Sequence, residues 1–590
     1  MSISKVFAVF YKYLLKNKPL FGFFLLLVIV SNIAMNLNPY FYQLFVKAIP
    51  SLEQNYLINL LFIFIAVRLF GVITDLLAFY VGDVVLFEAA KNARLDIFKH
   101  VQNLDFSFHT NKSTGSLISA FKRGDGALFS FFHDVHVRML GVLIGFLVMV
   151  YFLIQLNPLI VVLTTTSLIL TVISAKFLVA NNVAKRKLFN HEEDVISGII
   201  TDNLINFETV KLFAKEKWEN SRLSKSFKPW TKTLWGYGNS FRLIDGVMGT
   251  LINLSIFFVL YLTINQAISL NLTVPDFVLI TGFLSAFYPK LWDLVWSTRD
   301  LAKNYADIEK YFGLLEYKEE VLDPIKPIKL SHLEGVIEFK NVSHSYVGGT
   351  KNAIKNLNLT INKGESVAFV GRSGSGKTTI TKLLMRFFDP TGGEITIDGI
   401  NIKNFNKSDL RGFFGVVPQE AVLFNNTIGY NIGYGGASQR ILQGRNLKGR
   451  STEVPTFIEA AQMAHLSEFI EKLPQKYETN VGERGIKLSG GQKQRLAIAR
   501  MIMSNPDIII FDEATSHLDS ESEKMIQDAF WNYAKDKTTI VIAHRFSTIA
   551  KADRIIVMDN GKIIEQGTHK DLVENKDGLY KHLWDLQIEN

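Results

Sequence analysis

The chain has 590 residues, of which 48% are hydrophobic and 46 are Phe, and it carries a formal net charge of +9. That length exceeds one ordinary core, and so much apolar side chain points to a membrane-embedded part. The lack of cysteine excludes disulfides, thiolate metal sites and cysteine nucleophiles, and the positive charge calls for no nucleic-acid partner, because Lys and Arg beside a bilayer face anionic lipid.

Lys5, Lys12, Lys16 and Lys18 precede the first long apolar run. No small-residue cleavage site follows, and the run is longer than a signal-peptide core, so a retained first span is expected. Six stretches approach the roughly 20 residues a spanning helix needs: Leu20 to Ile49, Tyr56 to Val85, Val137 to Ile154, Leu159 to Leu178, Val247 to Ile264 and Val274 to Val295.

The second and third stretches, and the fourth and fifth, are separated by long connections with mixed charge at helical spacing, such as Glu88, Lys91 and Arg94. These predict helices that continue about 30 Å or more past the bilayer before turning back. Lys122, Arg123, Lys185, Arg186, Lys187, Lys225, Lys228 and Lys232 lie in them, whereas the short connections have almost no basic residue beyond Lys47. The charge asymmetry therefore places the amino terminus, both long connections and the carboxy-terminal half in the cytoplasm.

Arg68, Asp75, Arg138, Asp245, Asp276, Lys290 and Asp293 fall within the spans. Deep ionisable groups should face a cavity or a partner, which makes Asp75, Lys290 and Asp293 candidates for lining a path; headgroup depth or structural pairing is the other reading. Pro289 removes one backbone donor and is expected to open the sixth helix locally. Asp323-Pro324-Ile325-Lys326-Pro327 ends the helical pattern. The predicted division is a membrane domain over 1–315, a linker over 316–333 and a second domain over 334–590.

In the second half, the run Ser366 to Val370 leads into Gly371-Arg372-Ser373-Gly374-Ser375-Gly376-Lys377-Thr378-Thr379 and then a periodic segment, so a phosphate loop sits where a strand becomes a helix. Glycine backbones there approach phosphate closely, Lys377 supplies a point charge and the Thr378 hydroxyl suits Mg²⁺. Ile508 to Glu513 is a buried strand ending in two carboxylates. Asp512 is suited to hold Mg²⁺, and Glu513 to orient and deprotonate the attacking water. Thr538 to His544 repeats the pattern with His544 at the tip, a candidate γ-phosphate contact.

Leu488-Ser489-Gly490-Gly491-Gln492 resembles the signature motif of ATP-binding cassette (ABC) transporters, and the resemblance covers nearly the whole chain. It implies a polytopic α-helical membrane domain of six transmembrane helices with long cytoplasmic extensions, followed by an α/β P-loop cassette. It also implies that Tyr346 stacks on adenine, that the Walker A loop 371–379 holds the phosphates, and that Gln419 reports Mg²⁺ and γ-phosphate to the membrane part. On the same resemblance, Ser489, Gly490, Gly491 and Gln492 meet the γ-phosphate of a partner's ATP, and Asp519 is the D-loop aspartate. The D-loop carries His517 where the family usually has alanine, and a basic stretch, Gly435 to Thr452, is longer than in typical relatives.

One Walker A loop and one signature per chain imply a symmetric homodimer with two composite sites that couples ATP hydrolysis to transport. The fused ATPase and the long helices look like the exporter branch, in membrane lipid and expectedly the bacterial inner membrane, with the cavity facing alternate sides. Regions 416–432 and 206–213 resemble exporters of glutathione-linked metal or sulfur compounds. Gln492, where that branch often has glutamate, and Asp293 with Arg299 in place of the branch's Tyr-Arg pair keep a broader lipid or amphipathic cargo open. A non-transporting regulatory ATPase or channel on the same fold is the alternative of another class.

Overall fold

The computed structural model describes residues 1, 3–51, 53–112, 114–346, 352–436, 455–512, 520–542 and 545–588. Two compact units emerge: Met1–Leu104 with Phe108–Lys318, and Asp105–Ser107 with Glu319–Asn590.

The first unit is helical throughout. Its opening helix, Ile3–Leu14, buries Val6, Phe10 and Tyr13 and leaves Lys5 and Lys12 in the open, the pattern of a helix lying along a surface. Six helical spans long and apolar enough to cross a bilayer are present among the described residues, from Ser4–Ala48, which takes in that opening helix, to Val274–Glu316. The first span is two helices, Lys18–Asn36 and Asn38–Ala48, rather than one run. Pro39 cannot donate into the preceding turn, so the axis breaks at Leu37.

Spans two, four and five are the single helices Gln54–Asn103, Pro158–Ile205 and Glu216–Ile268, of 50, 48 and 53 residues. At 1.5 Å per residue each reaches about 75 Å, more than twice the hydrocarbon thickness. Beyond the bilayer spans four and five stay together: Asn182 donates to Ser240 at 2.8 Å, Phe189 stacks on Tyr237, and Asn203 donates to Glu219 at 2.9 Å. The long connections turn back through short helices, Phe106–Asn111 and Phe207–Leu212.

Span six, Val274–Gly313, remains helical through Pro289, contrary to the expected local opening. Phe283, Phe287, Tyr288 and Leu291 are buried along its inner face, and that packing carries the helix past one missing donor. In the third span a π-turn, Asp134–Met139, rotates Asp134 and His136 inward.

The intramembrane charges divide. Asp276 caps span six in a reciprocal box with Thr273, an end position. Asp75 accepts from Ser31 at 3.4 Å, Lys290 donates to Asn36 at 2.8 Å, and Arg138 pairs with Asp134 at 2.9 Å. These are ties between or within spans, the pairing that gives a deep polar group its compensation. Asp293 is exposed.

Among its described residues the second unit contains ten strands: β1 Ile337–His344, β2 Ile354–Ile361, β3 Ser366–Gly371, β4 Gly392–Ile397, β5 Ile400–Asn401, β6 Phe414–Val417, β7 Ile508–Asp512, β8 Thr538–Ile542, β9 Arg554–Asp559 and β10 Lys562–Gly567. One sheet runs β2-β1-β4-β5 and the other β10-β9-β3-β8-β7-β6. From β9 to β6 the second sheet is parallel, and its central strands β3 and β8 are buried at every residue, as a sheet covered on both faces requires. One face packs on Ile337, Phe339, Ile380 and Phe405; the other packs on the helical side through Leu496, Ile498, Ile526 and Phe530.

Candidate functional site

The parallel strands fix what lies at their carboxyl ends, where open α/β sheets bind ligands. Phe369 of β3 and Asp512 of β7 are both in register with Ile542 of β8. The loop after β3 and the carboxylate ending β7 are therefore one strand apart, roughly 10 Å by strand spacing.

Gly371, Gly374 and Gly376 have φ of 151°, 80° and 109°, values that L side chains rarely adopt. A Cβ at Gly371 would lie 2.1 Å from the Met558 carbonyl oxygen, and one at Gly376 would lie 2.8 Å from that of Ala353. The backbone thus curls where no side chain fits. Gly376 caps the helix Lys377–Leu384, and Lys377, buried, donates to the carbonyls of Gly371 at 2.8 Å and Arg372 at 3.0 Å. Ser373, Gly374 and Thr378 are exposed, whereas Thr379 is buried. The Ser375 hydroxyl is buried and has no hydrogen-bond partner among the described residues. A cradle closed to side chains, with a buried ammonium and an orphaned hydroxyl, fits a phosphate chain.

Ser489 caps the 14-residue helix Gly490–Met503 in a reciprocal box: its side chain accepts from the Gln492 amide, while the Gln492 side chain accepts from the Ser489 amide at 2.9 Å. Ser489 and Gly490 are exposed, and Gly491 is buried where a Cβ would meet the Ser522 hydroxyl at 2.8 Å. One turn further on, Gln494 donates to the Gln419 carbonyl at 2.7 Å. That bond ties the Gln419 loop to the signature helix, a link that motif reading missed because neither residue's spacing records it. Glu513, Asp519 and His544 lie outside the described residues, as does 437–454, most of the basic stretch.

Tyr346 places its hydroxyl 3.1 Å from Thr379 and its ring edge-on to Phe388 and His344. Burial holds the His344 pKa below its ordinary value, against a smaller opposing effect of the Asp389 backbone. The unfolded chain takes up this proton near about pH 6.5 and the folded one only lower. The His344 contribution is therefore intact above that pH and lost as the pH falls toward the folded value. The unfolding midpoint is expected to drop more steeply between about pH 6.5 and 5 in the natural protein than in His344→Phe; parallel slopes would exclude this role.

Sequence reasoning also missed Asp105–Ser107. These residues fold with the second unit, where Phe106 packs on Phe387 and Phe388 and under the Lys382 ammonium. Asp105 accepts from the amides of Glu320 and Val321, and Lys407 donates to Glu319 at 2.9 Å and to the Val321 carbonyl at 2.6 Å.

Within the first unit, a cavity of about 740 Å³ is bounded by Phe79, Phe129 and Val137 and by Asp134, Arg138, Arg299, Asp300 and Lys303. Asp134 pairs with Arg138, and Asp300 pairs with Arg299 at 2.6 Å. Among the described residues Lys303 has no carboxylate partner, so the chamber, lined also by Ser130, His133 and Asn304, carries surplus positive charge.

Residues 354–516 match the ABC transporter family model, and residues 21–289 match that of the ABC transporter transmembrane region. The chain is 34% identical over 505 residues to heavy metal tolerance factor 1 of Caenorhabditis elegans, covering 84% of this chain but 60% of that protein. It is 34% identical over 523 residues to an ATM1-type heavy metal exporter of Novosphingobium aromaticivorans, covering 88% and 83% of the two. It is also 34% identical over 504 residues to a putative multidrug export ATP-binding/permease protein, YgaD, of Bacillus subtilis, covering 84% and 83%. A solved structure of a bacterial Atm1-family ABC exporter with ATP bound superposes with a TM-score of 0.84 at 31% identity, over 97% of this chain and 98% of that one.

Proposed function

The chain belongs to the ABC transporter family, with membrane and ATP-binding regions in one polypeptide, and from that premise we propose that two copies form an ATP-driven exporter of amphipathic compounds bearing an acidic group. The carrying observation is the cavity of about 740 Å³, whose Phe79, Phe129 and Val137 suit an apolar body and whose surplus Lys303 suits an acidic one. Acidic lipids and glutathione conjugates both fall in that class. The heavy-metal names of two relatives favour glutathione-linked metal or sulfur compounds as a second, narrower reading.

Export fits helices that run from the bilayer far into the aqueous phase on the side that Lys and Arg assign to the cytoplasm. A bacterial plasma membrane is the proposed location. Dimerisation rests on the signature: Ser489 and Gly490 stand exposed at a helix amino terminus, ready for phosphate held by a second copy. Leu212 and Phe213 at the second bend, 82% and 69% exposed, also need covering, and we assign that to the second copy.

In each composite site Lys377 and the loop amides hold the triphosphate, Tyr346 meets adenine and Glu513 deprotonates water. Asp519 carries the state of one site to the other. Thr378, Asp512 and Gln419 would hold Mg²⁺, which when bound withdraws charge from the phosphate oxygens. His544 steadies the γ-phosphate.

The dimer is tested by mixing two defective chains. Lys377→Ala and Ser489→Arg homodimers are each expected to be inactive, but in a mixed dimer both defects fall in one composite site. The other site is intact, so hydrolysis should return to about half the natural value per dimer, with one trapped nucleotide. A mixed dimer as inactive as its parents, trapping none, would refute shared sites. The cargo is tested in inverted vesicles, with Glu513→Gln as the inactive control: uptake of a glutathione conjugate supports the narrower reading, and flipping of labelled phospholipid alone opposes it.

A further inference from the structure

A second cavity in the membrane unit, of about 590 Å³, lies between spans three, four and six and has no role in the function proposed above. Its walls are small or branched apolar residues, among them Val172, Ala175, Val179 and Val295. Only three side chains bring polarity. The Thr298 hydroxyl is already spent on the Leu294 carbonyl at 2.8 Å. Thr171 is wholly buried, and among the described residues its hydroxyl has no hydrogen-bond partner. Lys176 is exposed, and among the described residues no carboxylate stands within ion-pair distance of it.

Depth decides what fits. Span four starts at Pro158 on the side away from the basic connections, so Thr171 lies about 20 Å in and Lys176 about 27 Å in. In a hydrocarbon layer of about 30 Å, the hydroxyl is in the acyl region and the ammonium reaches the cytoplasmic headgroups. An unmatched cation at headgroup depth, an unsatisfied hydroxyl one and a half turns deeper and a smooth apolar wall call for an anion, an acceptor and a chain, in that order.

We propose that this cavity holds one anionic phospholipid of the cytoplasmic leaflet. Its phosphate sits on Lys176, its first ester carbonyl accepts from the Thr171 hydroxyl, and its acyl chain lies along Val172, Ala175, Val179 and Val295. The backbone positions of the two residues are offset by about 7.5 Å along the helix axis, which places the ester on the acyl side of the phosphate. Such a lipid fills the space between spans four and six whatever the exported compound is, and its binding requires no nucleotide.

The test uses the full-length protein in phosphatidylcholine nanodiscs containing phosphatidylglycerol with a photoactivatable acyl chain, followed by digestion and mapping of the label. Label should concentrate on 169–183 and 294–302. Lys176→Glu should lower it there about fivefold, Lys176→Arg should keep it, and Thr171→Val should lower it about twofold, all without changing label on the lipid-facing part of span two. Each variant's ATPase activity and elution volume report its folding, and Lys176→Arg against Lys176→Glu isolates the charge. Equal label on span two, or an unchanged pattern in Lys176→Glu, would overturn the site. A photoactivatable phosphatidylcholine that labels as strongly would remove the anion, and a photoactivatable fatty acid that does so would remove the ester contact. Because labelling is read without ATP or cargo, a failure here leaves the export reading standing, and the reverse.

Discussion

Lys377→Ala is expected to lower ATP hydrolysis by about 10²- to 10³-fold, comparable to the loss of a preorganised donor at a developing charge. The ammonium is buried and held by the Gly371 and Arg372 carbonyls, so it is fixed against the loop that would hold the phosphates. Alanine removes that charge and leaves two carbonyls to find water. The stability cost should be on the order of 1 kcal/mol, because the loop lies at the rim of the sheet where water can reach it. Hydrolysis and thermal unfolding measured on the same nanodisc sample separate the two effects. Activity within tenfold of the natural protein, with a normal melt, would mean that Lys377 does not meet the transferred phosphoryl group.

Gly371→Ala is expected to do damage of another kind. Gly371 pairs with Met558 across the parallel β3–β9 ladder, and an added Cβ would be 2.1 Å from the Met558 carbonyl oxygen and 2.9 Å from the Ser375 hydroxyl. The hydroxyl can rotate away; the carbonyl belongs to a buried strand. Its φ of 151° adds strain for any L side chain. Either β9 shifts or the loop leaves its place, at a cost on the order of 3 kcal/mol. ATP binding should disappear along with a lower unfolding midpoint, whereas Lys377→Ala should lose hydrolysis with little change in the midpoint. A Gly371→Ala protein that melts normally and binds ATP would show that the close approach is not needed.

The parts legible in the sequence depend on local backbone and solvent. The six apolar runs and the glycine-punctuated loop after β3 needed no knowledge of tertiary neighbours, and the helical extensions followed from charge at helical spacing. What escaped depended on contact between distant segments. Pro289 reads as a break until Phe283, Phe287 and Leu291 are seen buried on either side of it. For Lys290 and Asp75 path-lining and structural pairing are both open until Asn36 and Ser31 of span one are found beside them. The Gln494 to Gln419 bond joins residues 75 apart in the chain, which no motif spacing encodes. Span one failed for a local reason: Pro39 was in plain view, but its apolar surroundings outweighed it.

The triplet Asp105–Ser107 has a consequence for how the protein is made. The ATP-binding unit closes around residues synthesised more than two hundred positions earlier: Asp105 accepts from the amide of Glu320 across a separation of 215. A ribosome that has just finished span two next produces the wedge on which Phe387 and Phe388 will later settle. That aromatic seat can therefore be filled only where span two has left residues 105–107 on the same side of the membrane as the ATPase. It also means that a fragment cut at Glu319 for expression on its own would leave that aromatic seat bare, and would tend to clump for want of three residues.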